Sequence, residues 1–266
     1  MLTRAITGLF FIIVLIGALL LGEVVFTIFF SLVGIGALYE FYGIAKSEDN
    51  KPNVILGMLT AIVLAVLVSL HFVGVIPFKY VWVFIPFFSF IFIASLYQKS
   101  KLPFNDIAYT ILGIIYACIP FLFFVALGFI SGSFNHYIPL GFLIILWAND
   151  TGAYLSGRSF GKHKLFERIS PNKTWEGFVG GVLFAMLIAL NLEQYFGSLQ
   201  KWEWVTMAAI IGVFGTLGDL VESMLKRSLG VKDSGNILPG HGGLLDRFDG
   251  LLIAAPLVFL FLLMLQ

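Results

Sequence analysis

The chain has 266 residues, a formal charge of +1, 59% hydrophobic residues and only 12% charged ones. A soluble protein carries about 25% charged residues, so water cannot be the solvent for most of this surface, and a bilayer must be. The near-neutral total says nothing for or against nucleic acid, because in such a chain the placement of the charges is what informs.

Apolar segments recur at residues 4–21, 24–45, 54–76, 80–97, 107–130, 137–157, 175–196, 202–222 and 251–265. Each comes near the roughly 20 residues that cross a bilayer as a helix, and none shows the alternation over about 10 residues that a barrel strand needs. The sequence therefore predicts an all-α polytopic membrane protein with nine transmembrane helices. The first segment opens at Arg4 and ends in Leu19-Leu20-Leu21-Gly22-Glu23 without a small-residue cleavage pattern, so it is expected as a retained helix. No transit sequence precedes it, which points to a bacterial plasma membrane. Cys118, the sole cysteine, excludes an intrachain disulfide and reads as a small packed hydrophobe.

An odd number of spans puts the termini on opposite sides. Arg4, Lys46, Lys51, Lys99, Lys101, Arg158, Lys162, Lys164, Arg168, Lys173, Lys226, Arg227, Lys232 and Arg247 then share the amino-terminal side, leaving Lys79 and Lys201 opposite. Positive residues stay in the cytoplasm, so the amino terminus is expected there and the carboxyl terminus outside. Two loops, residues 157–174 and 226–250, fall on the cytoplasmic side. Residues 1–130 are expected to be helices with little chemistry, with Glu40 structural, and residues 131–266 to carry the catalytic loops, all within one structural unit.

Within the sixth segment, Asn149, Asp150 and Thr151 form a polar cluster that would rarely face lipid; it is either a structural hydrogen-bond cluster or directs Asp150 into a cavity. Further on, Gly161-Lys162-His163-Lys164 and Ser170-Pro171-Asn172-Lys173-Thr174-Trp175-Glu176-Gly177 combine positive charge with a helix start at which Thr174 is the expected N-cap. The free amides there, beside Lys173, suit an anionic group, although the same lysines also serve as ordinary topology determinants.

Asp219, Glu222, Ser223 and Lys226 lie at i, i+3, i+4 and i+7, one polar stripe on a helix at a membrane edge. An acid at mid-bilayer costs roughly 2.5 to 3.5 kcal/mol on insertion scales, so these need a cation, a wet cavity or an interfacial position; an internal pair with Lys226 that merely ends the helix is the plainer alternative. Residues 232–243 then read as a loop whose glycines at 240, 242 and 243 let backbone amides approach an anion. Asp246 and Asp249 would share a face of the last helix. Carboxylates near phosphates suit magnesium, with Asp219, Asp246 and Asp249 as ligands. A lone His241 makes a poor zinc site and reads as phosphate contact or loop architecture.

Ser223-Met224-Leu225-Lys226-Arg227, Lys232-Asp233-Ser234-Gly235 and the run from Leu238 to Asp249 closely resemble the signature of the phosphatidate cytidylyltransferases, or CDP-diacylglycerol synthases; residues 150–161 and 170–177 resemble that family too. Gly250, where the family commonly has serine, and Asn172, in place of a more usual lysine, depart from the pattern without removing a ligand. The resemblance implies that a phosphate oxygen of phosphatidate attacks the α-phosphorus of CTP and expels pyrophosphate, in a bilayer and without nucleic acid. On that reading Asp219, Glu222, Lys226, Arg227 and Asp246 are catalytic. Asp150, Lys173, Ser223, Lys232, Asp233, His241 and Arg247 bind substrate, and Mg2+, with room for a second cation, is the cofactor; a homodimer is compatible. A CTP-dependent lipid-alcohol kinase and a cation transporter are the competing classes. The kinase would release CDP, and the transporter would place its site at mid-membrane between repeated halves, which this chain lacks.

Overall fold

The computed structural model describes residues 2–235, 237 and 242–266, with side chains from residue 7 onward. The helices are α1 (Leu2–Leu20), α2 (Glu23–Ala45), α3 (Val54–Phe72), α4 (Ile85–Ser95) after a 3-10 stretch Phe78–Phe84, α5 (Pro103–Gly113) and α6 (Ile119–Leu127) joined by a π turn, α7 (Tyr137–Phe160), α8 (Trp175–Ala189), α9 (Leu192–Phe196), α10 (Lys201–Ser228) and α11 (Leu244–Leu263). Helices dominate because apolar chain without water partners must close its backbone hydrogen bonds internally. Among the described residues seven stretches are long and apolar enough to cross a membrane: Glu23–Ala45, Val54–Phe72, Phe78–Ser95, Pro103–Leu127, Tyr137–Phe160, Trp175–Phe196 and Lys201–Ser228. The architecture is that of an all-α polytopic membrane protein. The outermost two expected spans are helical as well: α1 runs over Leu2–Leu20, and in α11 the charges of Asp246, Arg247 and Asp249 leave an apolar stretch of about 20 Å.

One departure from helix lies in the loop after α7. Strands β1 (Lys164–Phe166) and β2 (Ser170–Thr174) pair antiparallel, Lys164 opposite Thr174. The polar residues at 149–151 do not end α7, which continues as helix to Phe160.

Contacts divide the chain into two compact units, Met1–Val125 with Leu229–Arg247, and Ala126–Ser228 with Phe248–Gln266. In the first, Tyr42 of α2 is fully buried and its hydroxyl donates to the Thr110 carbonyl of α5 at 2.7 Å. Gly57 of α3 and Gly113 of α5 make room for that ring: a Cβ on either would stand 2.0 Å and 2.7 Å from its atoms. Burying the ring is favourable because its one polar atom is satisfied. In the second unit α7 and α8 cross closely at small residues; a Cβ on Gly181 would lie 2.8 Å from the Asn149 carbonyl oxygen. Close backbone approach at small residues is how helices associate where apolar burial offers no driving force.

Helix α11 is not regular. Phe248 has φ −120° and ψ 15°, a break in helical geometry between Asp246 and Asp249. The shared face expected for these two aspartates requires an uninterrupted helix, so that expectation is corrected: each has its own surroundings.

Candidate active site

The second unit gathers most of the expected residues. A cavity of about 530 Å³ is lined by Asp150, Tyr154 and Arg158 of α7, Asn172 and Lys173 of β2, Thr174, Gly177 and Phe178 at the start of α8, and Thr216 and Asp219 of α10. The hairpin is what brings Lys173 here. The Lys173 ammonium donates to Asp219 Oδ2 at 2.5 Å, a charge-assisted bond between residues 46 apart in sequence. The Ser223 hydroxyl lies 3.4 Å from Asp219 Oδ1, as the i, i+4 spacing requires. Asp150 and Asp249 both feel the charge of Asp219, and Asp249 also that of Glu222. Four acids from three helices are therefore electrostatic neighbours.

Several devices hold this arrangement. Thr174 caps α8: its hydroxyl accepts from the Gly177 amide at 3.1 Å, as the sequence predicts. Lys173, beside that helix end, is engaged by Asp219. Glu176, in the first turn of α8, accepts from the Lys162 and His163 amides and lies 2.6 Å from His163 Nδ1, tying the start of the hairpin segment to the helix. Asn149, fully buried on α7, donates to the Thr216 hydroxyl at 3.3 Å, fixing the turn that presents Asp150. Asp249 Oδ1 accepts from the Gly250 amide at 2.6 Å, and its carbonyl oxygen sits where a Cβ on Gly218 would stand, 2.6 Å away, so only glycine lets α10 approach this closely.

The internal pair proposed as the plainer reading of the α10 stripe forms with Glu222, not Asp219. Lys226 Nζ lies 2.6 Å from Glu222 Oε2, and the Glu222 side chain is only 1% exposed. A buried carboxylate with a lysine at i+4 is neutralised on its own helix, leaving Asp219 to Lys173. Arg227 is exposed at the end of α10.

The remaining candidates belong to the first unit. Lys232, Asp233 and Arg247 are exposed, and His241 lies outside the described residues. Asp246 Oδ2 accepts from the Gly243 amide at 2.8 Å, the Ser234 amide at 2.9 Å and the Ser234 hydroxyl at 2.9 Å. The Gly243 bond is half of a capping box, the third helical residue reaching back to the N-cap amide.

Hard carboxylate oxygens suit magnesium in their chemistry. Among the described residues no three His, Cys, Asp or Glu side chains converge on one point, and Asp219 is paired with the Lys173 ammonium. Arg158 and Thr216 line the cavity although the sequence does not mark them as site residues. For Arg158 the available signal was its position one helical turn beyond Tyr154, whose hydroxyl accepts from Arg158 Nη1 at 3.2 Å.

The profile of the cytidylyltransferase family matches residues 2–265. A phosphatidate cytidylyltransferase of Staphylococcus aureus (strain COL) is 37% identical over 264 residues, 98% of each chain. That of Staphylococcus epidermidis (strain ATCC 12228) is 36% identical over 263 residues, again 98% of each. The Staphylococcus haemolyticus protein is 43% identical over 177 residues, 66% of each.

Proposed function

The chain belongs to the cytidylyltransferase family, and we propose that it transfers the cytidylyl group of CTP to phosphatidate, forming CDP-diacylglycerol and pyrophosphate. The observation that carries this reading is the cavity in which the Lys173 ammonium is held against Asp219, with Asp150 and Arg158 on its wall. A phosphate oxygen of phosphatidate forms a bond to the α-phosphorus of CTP while the bond from that phosphorus to the bridging oxygen breaks, and pyrophosphate leaves with the electron pair. The nucleophile is already an anion, so acid–base chemistry contributes little. The work is alignment of two anions and neutralisation of the charge that accumulates.

Lys173 and Arg158 meet substrate phosphate in the cavity, and the Lys173–Asp219 bond sets the direction from which the ammonium does so. Ser223 orients Asp219, and Glu222 holds Lys226 at the polar end of α10. Lys232, Arg247 and the exposed Arg227 are free of apolar burial and suit phosphate oxygens arriving from the aqueous side. Asp233 and His241 are proposed as substrate contacts. Asp219 and Asp249 would hold magnesium, which would neutralise charge on the substrate phosphates; Asp246 is proposed as a further carboxylate of the reaction. The family reading and the apolar helices support an integral protein of a bacterial plasma membrane. Nine crossings with the amino terminus in the cytoplasm put both polar loops on the side where CTP is found.

Purified protein given phosphatidate, magnesium and CTP labelled either at the α-phosphate or at the γ-phosphate tests the proposal. Label from the α position in lipid, with pyrophosphate released, is the expected result. Transfer of γ-label to lipid would replace it with a kinase.

A further inference from the structure

Glu40 sits in α2, far from the polar loops in sequence, yet it is only 5% exposed and holds the ends of one of them. Its Oε2 accepts from the Leu245 amide at 3.0 Å, one of the amides in the first turn of α11 that has no partner within the helix. The same oxygen lies 3.3 Å from the Ser234 hydroxyl, which lies 2.9 Å from Asp246 Oδ2, so a single proton serves two carboxylates. Glu40 Oε1 is buried with no hydrogen-bond partner among the described residues. Gly235 and Gly243 press on this carboxylate from two sides: a Cβ on Gly235 would stand 2.6 Å from Oε1, and one on Gly243 2.4 Å from Oε2. A buried carboxylate is costly, and placing it at a helix N-terminus recovers part of that cost.

We propose that Glu40 is a positioning residue for cytidylyl transfer: it fixes the start of α11 and, through Ser234, the orientation of the Asp246 carboxylate. This rests on the reading of Asp246 as a residue of the reaction. Outer partners that orient metal-ligating side chains typically change affinity or activity by about 10- to 100-fold when removed, and the same order is expected for Asp246.

The test compares Glu40→Ala, Glu40→Gln, Ser234→Ala, Asp246→Asn and the Glu40→Ala/Ser234→Ala double variant, each purified in detergent and normalised to folded protein. Turnover, KM for CTP, and amide hydrogen exchange of the peptide containing residues 242–248 are measured. Glu40→Ala should lower kcat by about tenfold or more with KM for CTP within about twofold, and should speed exchange in that peptide. Glu40→Gln, which keeps an oxygen for the Leu245 amide, should restore much of both. The Ser234 and Glu40 losses should fall short of additive, because they interrupt one chain of contacts. If Glu40→Ala does not fold, Glu40→Gln against Gly243→Ala decides: the glycine variant should re-aim the carboxylate and lower kcat where the isosteric amide does not. Normal kcat in Glu40→Ala, or fully additive losses, would overturn the inference while an inactive Asp246→Asn left the reading of Asp246 intact. A fully active Asp246→Asn would remove that reading itself, and the inference with it.

Discussion

Replacing Lys173 by methionine separates two roles that the Lys173–Asp219 bond combines. Unit charges about 4 Å apart attract by ~4 kcal/mol at an effective dielectric of about 20. Both side chains are partly open to solvent, 25% and 37% exposed, and pairs of that kind retain about 1 kcal/mol once screening and side-chain ordering are counted. That is roughly a fivefold factor in an equilibrium constant. On the proposal that Asp219 also holds a divalent cation, the ammonium would compete for the same carboxylate, so Lys173→Met should bind manganese, as a magnesium surrogate, about fivefold more tightly. The same variant should bind CTP more weakly, because the phosphate partner proposed for CTP is gone. Methionine keeps most of the apolar stem, so packing changes little. Electron paramagnetic resonance of free manganese measures the first effect and KM for CTP the second, with Lys201→Met as a control outside the cavity. Unchanged or weaker manganese binding in Lys173→Met would refute competition at Asp219, and with it the placement of a cation there.

Asp219→Asn retains the shape of the side chain but loses the charge that orients Lys173; turnover should fall by about 100-fold or more, with excess magnesium giving no recovery, as a radiochemical assay over a magnesium series would reveal. Gly218→Ala places a Cβ 2.6 Å from the Asp249 carbonyl oxygen, so thermal unfolding in detergent should show a loss of about 1 to 3 kcal/mol together with reduced turnover, whereas Gly17→Ala, with open space around it, should be neutral. Thr174→Ala removes the cap of α8 and should cost about 1 kcal/mol in the same unfolding measurement, while Thr174→Ser should not.

The helices were legible because their signal is local. A run of apolar residues long enough to cross hydrocarbon has one way to satisfy its backbone, and the spacing 219, 222, 223, 226 places a stripe on whichever helix forms. The cap at Thr174 was legible for the same reason, since its partner is three residues away. The Glu222–Lys226 pair was open to reading as an alternative, but spacing alone leaves Asp219 equally eligible for Lys226, and the choice falls to Lys173, brought in by a hairpin whose short, polar strands carry no apolar alternation.

Residue type, segment length and the order of the polar loops were thus determined by the sequence itself: a polytopic helical membrane protein with the family's acidic and basic residues concentrated in its second half. Only the tertiary structure decided which charges meet. It set Lys173 on Asp219, broke α11 at Phe248 so that Asp246 and Asp249 have different neighbours, and brought Glu40 to an amide 205 residues away. The physical reason is that a helix follows from bonds between near neighbours, whereas a buried charge takes its partner from whichever element packing brings within hydrogen-bonding reach.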